Sequence, residues 1–142
     1  MKVTSEAIYS KFTELIGGVH NAAYIAVGGR FFKGFAIQGT AFPYVTYNMV
    51  SGTQDYTFTT YFETERIQFD IYSNSESSTE AENIFTYMRV LFDFCKLSVA
   101  GYDHLWMKRD LSRLLREEDE NFHVWHYVVD YMVYTESNTV RI

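Results

Sequence analysis

From Glu65 to Tyr72 the side chains change character at every residue. Glu65, Ile67, Phe69 and Ile71 alternate with Arg66, Gln68, Asp70 and Tyr72. A period of two places Ile67, Phe69 and Ile71 on the core face of a strand and the polar set on the other face. The same alternation runs from Phe122 to Tyr134, with Trp125, Tyr127, Val129, Tyr131 and Val133 opposite Phe122, Val124, His126 and Val128. Leu105 to Leu114 forms its partner strand, with Met107, Arg109 and Leu111 on one side and Trp106, Lys108 and Asp110 on the other. Glu117-Glu118-Asp119-Glu120-Asn121 lies between the two and reads as an acidic turn. Strands of about ten residues at about 3.4 Å each make a hairpin roughly 35 Å long. A chain patterned this way folds around a sheet with one buried face.

Two helices are expected beside the strands. Ile8, Phe12 and Leu15 recur at i, i+4 and i+7, with Tyr9 and Ile16 alongside. Thr4 or Ser5 supplies the cap and Gly17-Gly18 the stop. From Ser78 to Cys95 a stripe of Ile84, Met88, Leu91 and Cys95 is widened by Ala81, Tyr87, Phe92 and Phe94. Ser77 with Glu80 has the form of a capping box before it.

Tyr24–Val27 and Arg30–Phe32 read as extended, with a tight turn at Gly28-Gly29 and a loop bracketed by Gly34 and Gly39. Phe42-Pro43 opens a strand from Tyr44 to Val50. Ser51–Thr60 is polar with interspersed aromatics and reads as a projecting loop, and residues 135–142 read as a flexible tail. The expected fold is one α+β domain over 1–142, a mainly antiparallel sheet packed by two helices and ending in a long β-hairpin. Its core is expected from Ile8, Phe12, Leu15, Val45, Ile67, Phe69, Ile71, Ile84, Met88 and Leu91.

Composition narrows the function. Twelve Tyr, twelve Phe and two Trp in 142 residues are more rings than one core easily hides, which points to contacts with other chains. The net charge of −6 offers no general basic field for nucleic acid. A single cysteine, Cys95, excludes an intrachain disulfide framework and reads as a buried structural thiol. No apolar run approaches the roughly 20 residues that span a bilayer, and no secretion signal is read at the N-terminus. A soluble protein made inside the cell is expected.

No catalytic constellation emerges. His123 and His126 stand three apart, on opposite faces of a strand, and cannot share a metal ion. The acidic turn lacks the alternating ligands and glycine of a calcium loop. Gly28-Gly29 has neither a dinucleotide fingerprint nor a phosphate loop around it. Glu63/Glu65 and Glu80/Glu82 read as carboxylates on exposed faces. The expectation is therefore a non-enzyme, with no catalytic residue, metal or cofactor.

Three segments in combination carry a resemblance. They are Phe42-Pro43-Tyr44-Val45, Arg66-Ile67-Gln68-Phe69-Asp70-Ile71-Tyr72 and Thr79-Glu80-Ala81-Glu82-Asn83-Ile84, set between an N-terminal amphipathic helix and a terminal strand pair. From about Ser5 to Tyr134 the chain resembles the tail-completion, or tail-terminator, family of tailed bacteriophages and related prophages. The resemblance implies a virion structural protein of the head–tail junction, assembled in the host cytoplasm. It implies a homo-oligomeric ring, typically a hexamer, that caps the tail tube and docks to the head-completion or connector protein. DNA would pass through the ring without sequence-specific binding, and no membrane is involved. The aromatic segment Ser51–Phe62 and the long terminal hairpin depart from a plain member and suit another neck position, adaptor or stopper, as well.

The interface expected from the residues themselves lies in two projections. One holds Asp55, Tyr56, Phe58, Tyr61 and Phe62, and the other Glu117, Glu118, Asp119 and Glu120. Excess Tyr and Phe on such projections are natural anchors. The competing reading is a small-ligand or peptide-binding α+β module with an aromatic pocket.

Overall fold

The computed structural model describes residues 1–138. In chain order these form α1 (Lys2–Thr13), α2 (Ala22–Ala26), β1 (Phe31–Lys33), β2 (Tyr44–Tyr56), β3 (Tyr61–Ser73), α3 (Thr79–Phe92), β4 (Tyr102–Asp119) and β5 (Phe122–Ser137). The strands make a sheet of order β1-β2-β3-β5-β4. Strand β1 runs parallel to β2, and every other pair is antiparallel. This is the α+β architecture that hairpin-grouped strands imply, with three helices in place of the expected two.

Strand β3 is the axis of the molecule. It pairs with β2 from Tyr44↔Tyr72 to Tyr56↔Tyr61, and with β5 from Phe62↔Glu136 to Ser73↔Trp125. Its face is assigned as the alternation requires, since Ile67, Phe69 and Ile71 are buried. Phe69 is surrounded by rings, with centroids 4.9 Å from Phe92, 5.7 Å from Tyr131 and 6.1 Å from Phe31. Phe12 stacks on Phe31 at 3.9 Å, and Phe31 on Tyr47 at 4.5 Å. Only part of the aromatic surplus is consumed inside, chiefly Phe12, Phe31, Tyr47, Phe69, Phe92 and Tyr131, where each fully buried ring contributes about 1.5–3 kcal/mol. Ile8, Val45, Ile84 and Met88 complete the expected core, while Leu91 is only partly buried against it.

Leu15 is the error in the core list. Helix α1 ends at Thr13, and Leu15 and Ile16 are exposed. Gly17-Gly18 does not cap the helix but turns the chain between Ile16 and Val19, which form a bridge. Thr4 and Ser5 are not caps either. They are buried within α1, where the Thr4 hydroxyl donates to Glu65 at 2.7 Å.

Tyr24–Val27, read as extended, is helical up to Ala26. Asn21 Oδ1 accepts from the Tyr24 backbone N–H at 2.9 Å and caps α2, while Asn21 Nδ2 donates to the Phe12 carbonyl at 2.8 Å. One side chain thus joins the end of α1 to the start of α2. The turn at Gly28-Gly29 forms as expected with positive φ, and a Cβ on Gly29 would lie 2.9 Å from the Tyr24 ring.

The expected loop 51–60 is mostly strand. β2 continues to Tyr56, and only Thr57–Thr60 reverse the chain. The acidic turn also contracts, because Glu117–Asp119 belong to β4 and the reversal is Glu120-Asn121. Bulges at His104/Trp106 and Arg109/Leu111 shift the two residue sets expected along β4. Helix α3 stops at Phe92, before Cys95. Its start is not a capping box: Ser77 Oγ accepts from the Thr79 N–H at 3.2 Å, but Glu80 accepts from the Ser73 hydroxyl at 2.6 Å. Phe85 is buried where Tyr87 and Phe94 were expected to pack. In the expected tail, Thr135–Ser137 complete β5, and 139–142 lie outside the described residues.

Candidate assembly surface

The two expected projections stand at opposite ends of the sheet. Strand β3 separates them by 13 residues, roughly 40 Å at about 3.3 Å per residue. The structure therefore divides the nominated residues into two surfaces of different chemistry.

The β2–β3 end is aromatic. Thr57–Thr60 closes through the Thr57 N–H to the Thr60 carbonyl at 2.8 Å, and the Thr57 hydroxyl donates to the same carbonyl at 3.0 Å. Phe58 stands at the apex, fully exposed, and Tyr56 is 61% exposed. Below them Tyr56 and Tyr61 face each other across the strands, with centroids 5.7 Å apart. The Tyr61 and Tyr102 hydroxyls meet at 2.9 Å, and the Thr60 hydroxyl donates to the Ser137 carbonyl at 2.6 Å. This end is thereby tied to β4 and β5. Asp55 is exposed and pairs with half-buried Phe62.

The β4–β5 end is acidic above and aromatic beneath. Arg116 holds Glu118 at 2.8 Å and lies 4.7 Å from the Trp125 ring centre. Glu117 is 2.9 Å from His126 Nδ1. Asp119 pairs with Phe122 as the last residue of β4, and Glu120 begins the turn. Phe42, Tyr44, Tyr72, Asn74, Glu117 and Phe122 help line a hollow of about 310 Å³ there.

Between the ends runs the face of β3 opposite Phe69. Arg66 bridges Asp110 at 2.6 Å and Asp130 at 3.1 Å, joining three strands. Gln68 donates to both oxygens of Asp70, at 3.0 and 3.1 Å. His126 lies between Asp70 at 2.7 Å and Glu117 at 2.9 Å and stacks on Tyr72 at 4.4 Å. Burial lowers the His126 pKa, but hydrogen bonds to the two carboxylates outweigh it, and the net shift is upward. Burial and neighbouring negative charge push Tyr72 up to about 12.

Sequence reasoning missed three features. Glu63 and Glu65, expected on an exposed face, are buried at 6% and 2% exposure under the start of α1. Phe35 and Ile37, in the loop after β1, are 80% and 74% exposed. The partners of His126 are 56 and 9 residues away, so no local motif announces them. Spacing alone offers one signal, since Arg66, Gln68, Asp70 and Tyr72 form an unbroken polar face. Cys95 is half-buried, and burial raises its thiol pKa to about 11, which keeps it protonated and poorly nucleophilic.

The sheet with helices on one face and a polar opposite face is a fold shared with chains of known structure. The chain of a native gene transfer agent (GTA) virion particle superimposes with a TM-score of 0.79 over 93% of each chain, at 10% identity. A second solved chain matches with a TM-score of 0.52 and 12% identity over 93% of this chain and 94% of the other. None of the curated proteins matches this chain in sequence. The model of the family described as tail completion protein gp17 matches residues 19–136, and the chain belongs to that family. It is a structural protein of the bacteriophage virion tail.

Proposed function

We propose that the protein assembles as a closed homo-oligomeric ring, typically of six copies, at the head–tail junction. In this reading the ring caps the tail tube and offers a second surface to the head-completion or connector protein. The observation that carries it is the placement of two chemically unlike ends at the two extremities of one rigid sheet. A junction piece needs two different docking surfaces held at a fixed distance, and β3 supplies that distance. Lateral contacts between unlike edges of neighbouring copies close a ring.

The function proposed is assembly rather than chemistry. Both ring nitrogens of His126 are taken by carboxylates, and the Cys95 thiol is held protonated. The competing small-ligand reading would use the hollow beside Tyr44 and Tyr72. Family membership favours a protein contact there.

The test is complementation of a phage lacking this gene, followed by electron microscopy. A junction role gives filled heads beside overlong or unjoined tails in the deletion, and normal particles when the gene is restored. Normal infectious particles from the deletion would end this reading.

A further inference from the structure

Two strands of the sheet have an open edge, and the two edges are guarded differently. Strand β1 covers only Val45–Tyr47 of β2, and the Gly34 N–H donates to the Tyr47 carbonyl at 3.0 Å. From Met49 to Asp55 that side of β2 has no backbone partner among the described residues, and every residue of the run is exposed. The run holds no lysine, arginine or proline, and its single charge is Asp55. Its one bulge lies at its start, between Met49 and Ser51. An exposed strand edge with so few guards is a template for a further strand.

The other open edge belongs to β4, the last strand of the sheet. Its outer side is occupied at Met107, whose carbonyl accepts from the Phe94 N–H at 2.8 Å. From Leu111 to Glu118 that side has no backbone partner among the described residues, and β4 pairs with β5 there without a register shift. Lys108–Arg116 carries Lys108, Arg109, Arg113 and Arg116 against Asp110 alone. Arg113 is exposed and forms no ion pair among the described residues.

We propose that β4 of a neighbouring copy adds to the open edge of β2 and extends the antiparallel sheet across the subunit boundary. This rests on the ring reading above and names the lateral contact that it needs. Three antiparallel steps separate β2 from β4, so the two run in opposite senses. A second copy set beside the first, with helices on the same face, therefore brings its β4 antiparallel to β2. Backbone groups alternate sides along a strand. The Tyr47 carbonyl points outward, and the bulge at Met49/Ser51 passes that direction to Gly52 and Gln54. Met107 points outward, and the bulge at Arg109/Leu111 passes it to Leu114 and Arg116. Gly52 opposite Arg116 and Gln54 opposite Leu114 then exchange hydrogen bonds, and Asp55 stands opposite Arg113. Asp55 pairs with Phe62, and Arg113 reaches Asp70 through Val128, so both charges lie on the face away from the helices. A shift of two residues puts Asp55 opposite Leu111 or Leu115 and leaves the ion pair unmade. The contact joins unlike edges and repeats around a ring. Its stagger along the strands tilts them to the ring axis, as in other closed sheets.

Two cysteines test the pairing in the full-length chain with Cys95→Ser. Facing residues of this kind have Cα atoms about 4.5 Å apart, within reach of a disulfide. Asp55→Cys and Arg113→Cys together, under mild oxidation, give a ladder of disulfide-linked oligomers, whereas either alone gives none. A dimer from either alone means that like edges meet and overturns the proposal. Native mass measurement of the free chain and electron microscopy of capped tail tubes report whether a ring forms. A ring without the ladder overturns the edge pairing and leaves the ring reading intact. A ladder without a closed ring keeps the pairing and overturns the ring. Neither ring nor ladder, free or on tubes, overturns both.

Charge exchange tests the register without oxidation. Asp55→Arg and Arg113→Asp each raise the half-assembly concentration on tail tubes about 10-fold, because attraction between facing charges becomes repulsion. The chain carrying both exchanges returns to within about 3-fold of the native value, since the pair is restored in reverse. Unchanged unfolding midpoints confirm that the subunits are folded. Assembly unaffected by either single exchange, or not restored by the double, overturns the Asp55–Arg113 register and the proposal with it.

Discussion

The two hairpin ends are built from the same element and present opposite chemistry. At the β2–β3 end, neutral hydroxyls of Thr57, Thr60, Tyr61 and Tyr102 fix the reversal, and Phe58 is left entirely exposed. At the β4–β5 end, ionic contacts through Arg116 and His126 hold the carboxylates of Glu118 and Glu117. One end is ordered by hydroxyl hydrogen bonds, and the other by ion pairs that include a histidine whose pKa is raised by its carboxylate partners. The comparison teaches that a single sheet can carry two ends of unlike chemistry, because each is fastened locally and both share the core around Phe69.

Removing that shared core is the largest perturbation. Phe69→Ala should destabilise the whole chain by about 3–5 kcal/mol through transfer and cavity terms. Chemical denaturation measures it, and a loss below about 1 kcal/mol would mean that the ends do not depend on a common core. Phe58→Ala should separate the ends. Its ring touches solvent, so stability stays within about 0.5 kcal/mol, while each assembled contact weakens by about 1–2 kcal/mol if Phe58 is an anchor. Unfolding midpoints and native mass measurements distinguish the two effects.

The acidic end should respond to pH while the aromatic end does not. The folded His126 pKa lies above its usual value of 6.5. Its contribution to stability is therefore fully present below about 6.5 and is lost as pH rises through the raised folded value. Unfolding followed between pH 5.5 and 9 should show this decline, and Asp70→Asn should flatten it. An unaltered slope in Asp70→Asn would remove the His126 pairing from the account. The smallest effect belongs to the exposed Arg116–Glu118 pair, where Glu118→Gln should cost less than about 0.5 kcal/mol in denaturation.

What the sequence revealed follows from how each segment is held. β3 was legible because one of its faces is buried, so its composition alternates with its pleat. The extension of β2 through Ser51–Tyr56 was not, because those residues are exposed on both faces and their strand is imposed by register with β3. Tyr24–Val27 has the aromatic and branched residues of a strand, but the Asn21 cap and the attachment to Phe12 prevail. Leu15 continues the period of α1 past the point where the chain has left the helix. Glu63 and Glu65 looked exposed because charge usually is, and the groups that bury them come from Gln54 and from α1. The nominated residues do lie near the hairpin reversals, and the separation of the two ends depends on sheet order, which no local pattern encodes.

A density map of the neck of the intact virion tests the central claim most directly. The account predicts a ring of this chain between the head-side connector and the tail tube, with β3 spanning it and the Phe58 and Glu117 ends meeting different neighbours. Finding the chain elsewhere in the particle, or both ends against the same neighbour, would contradict it.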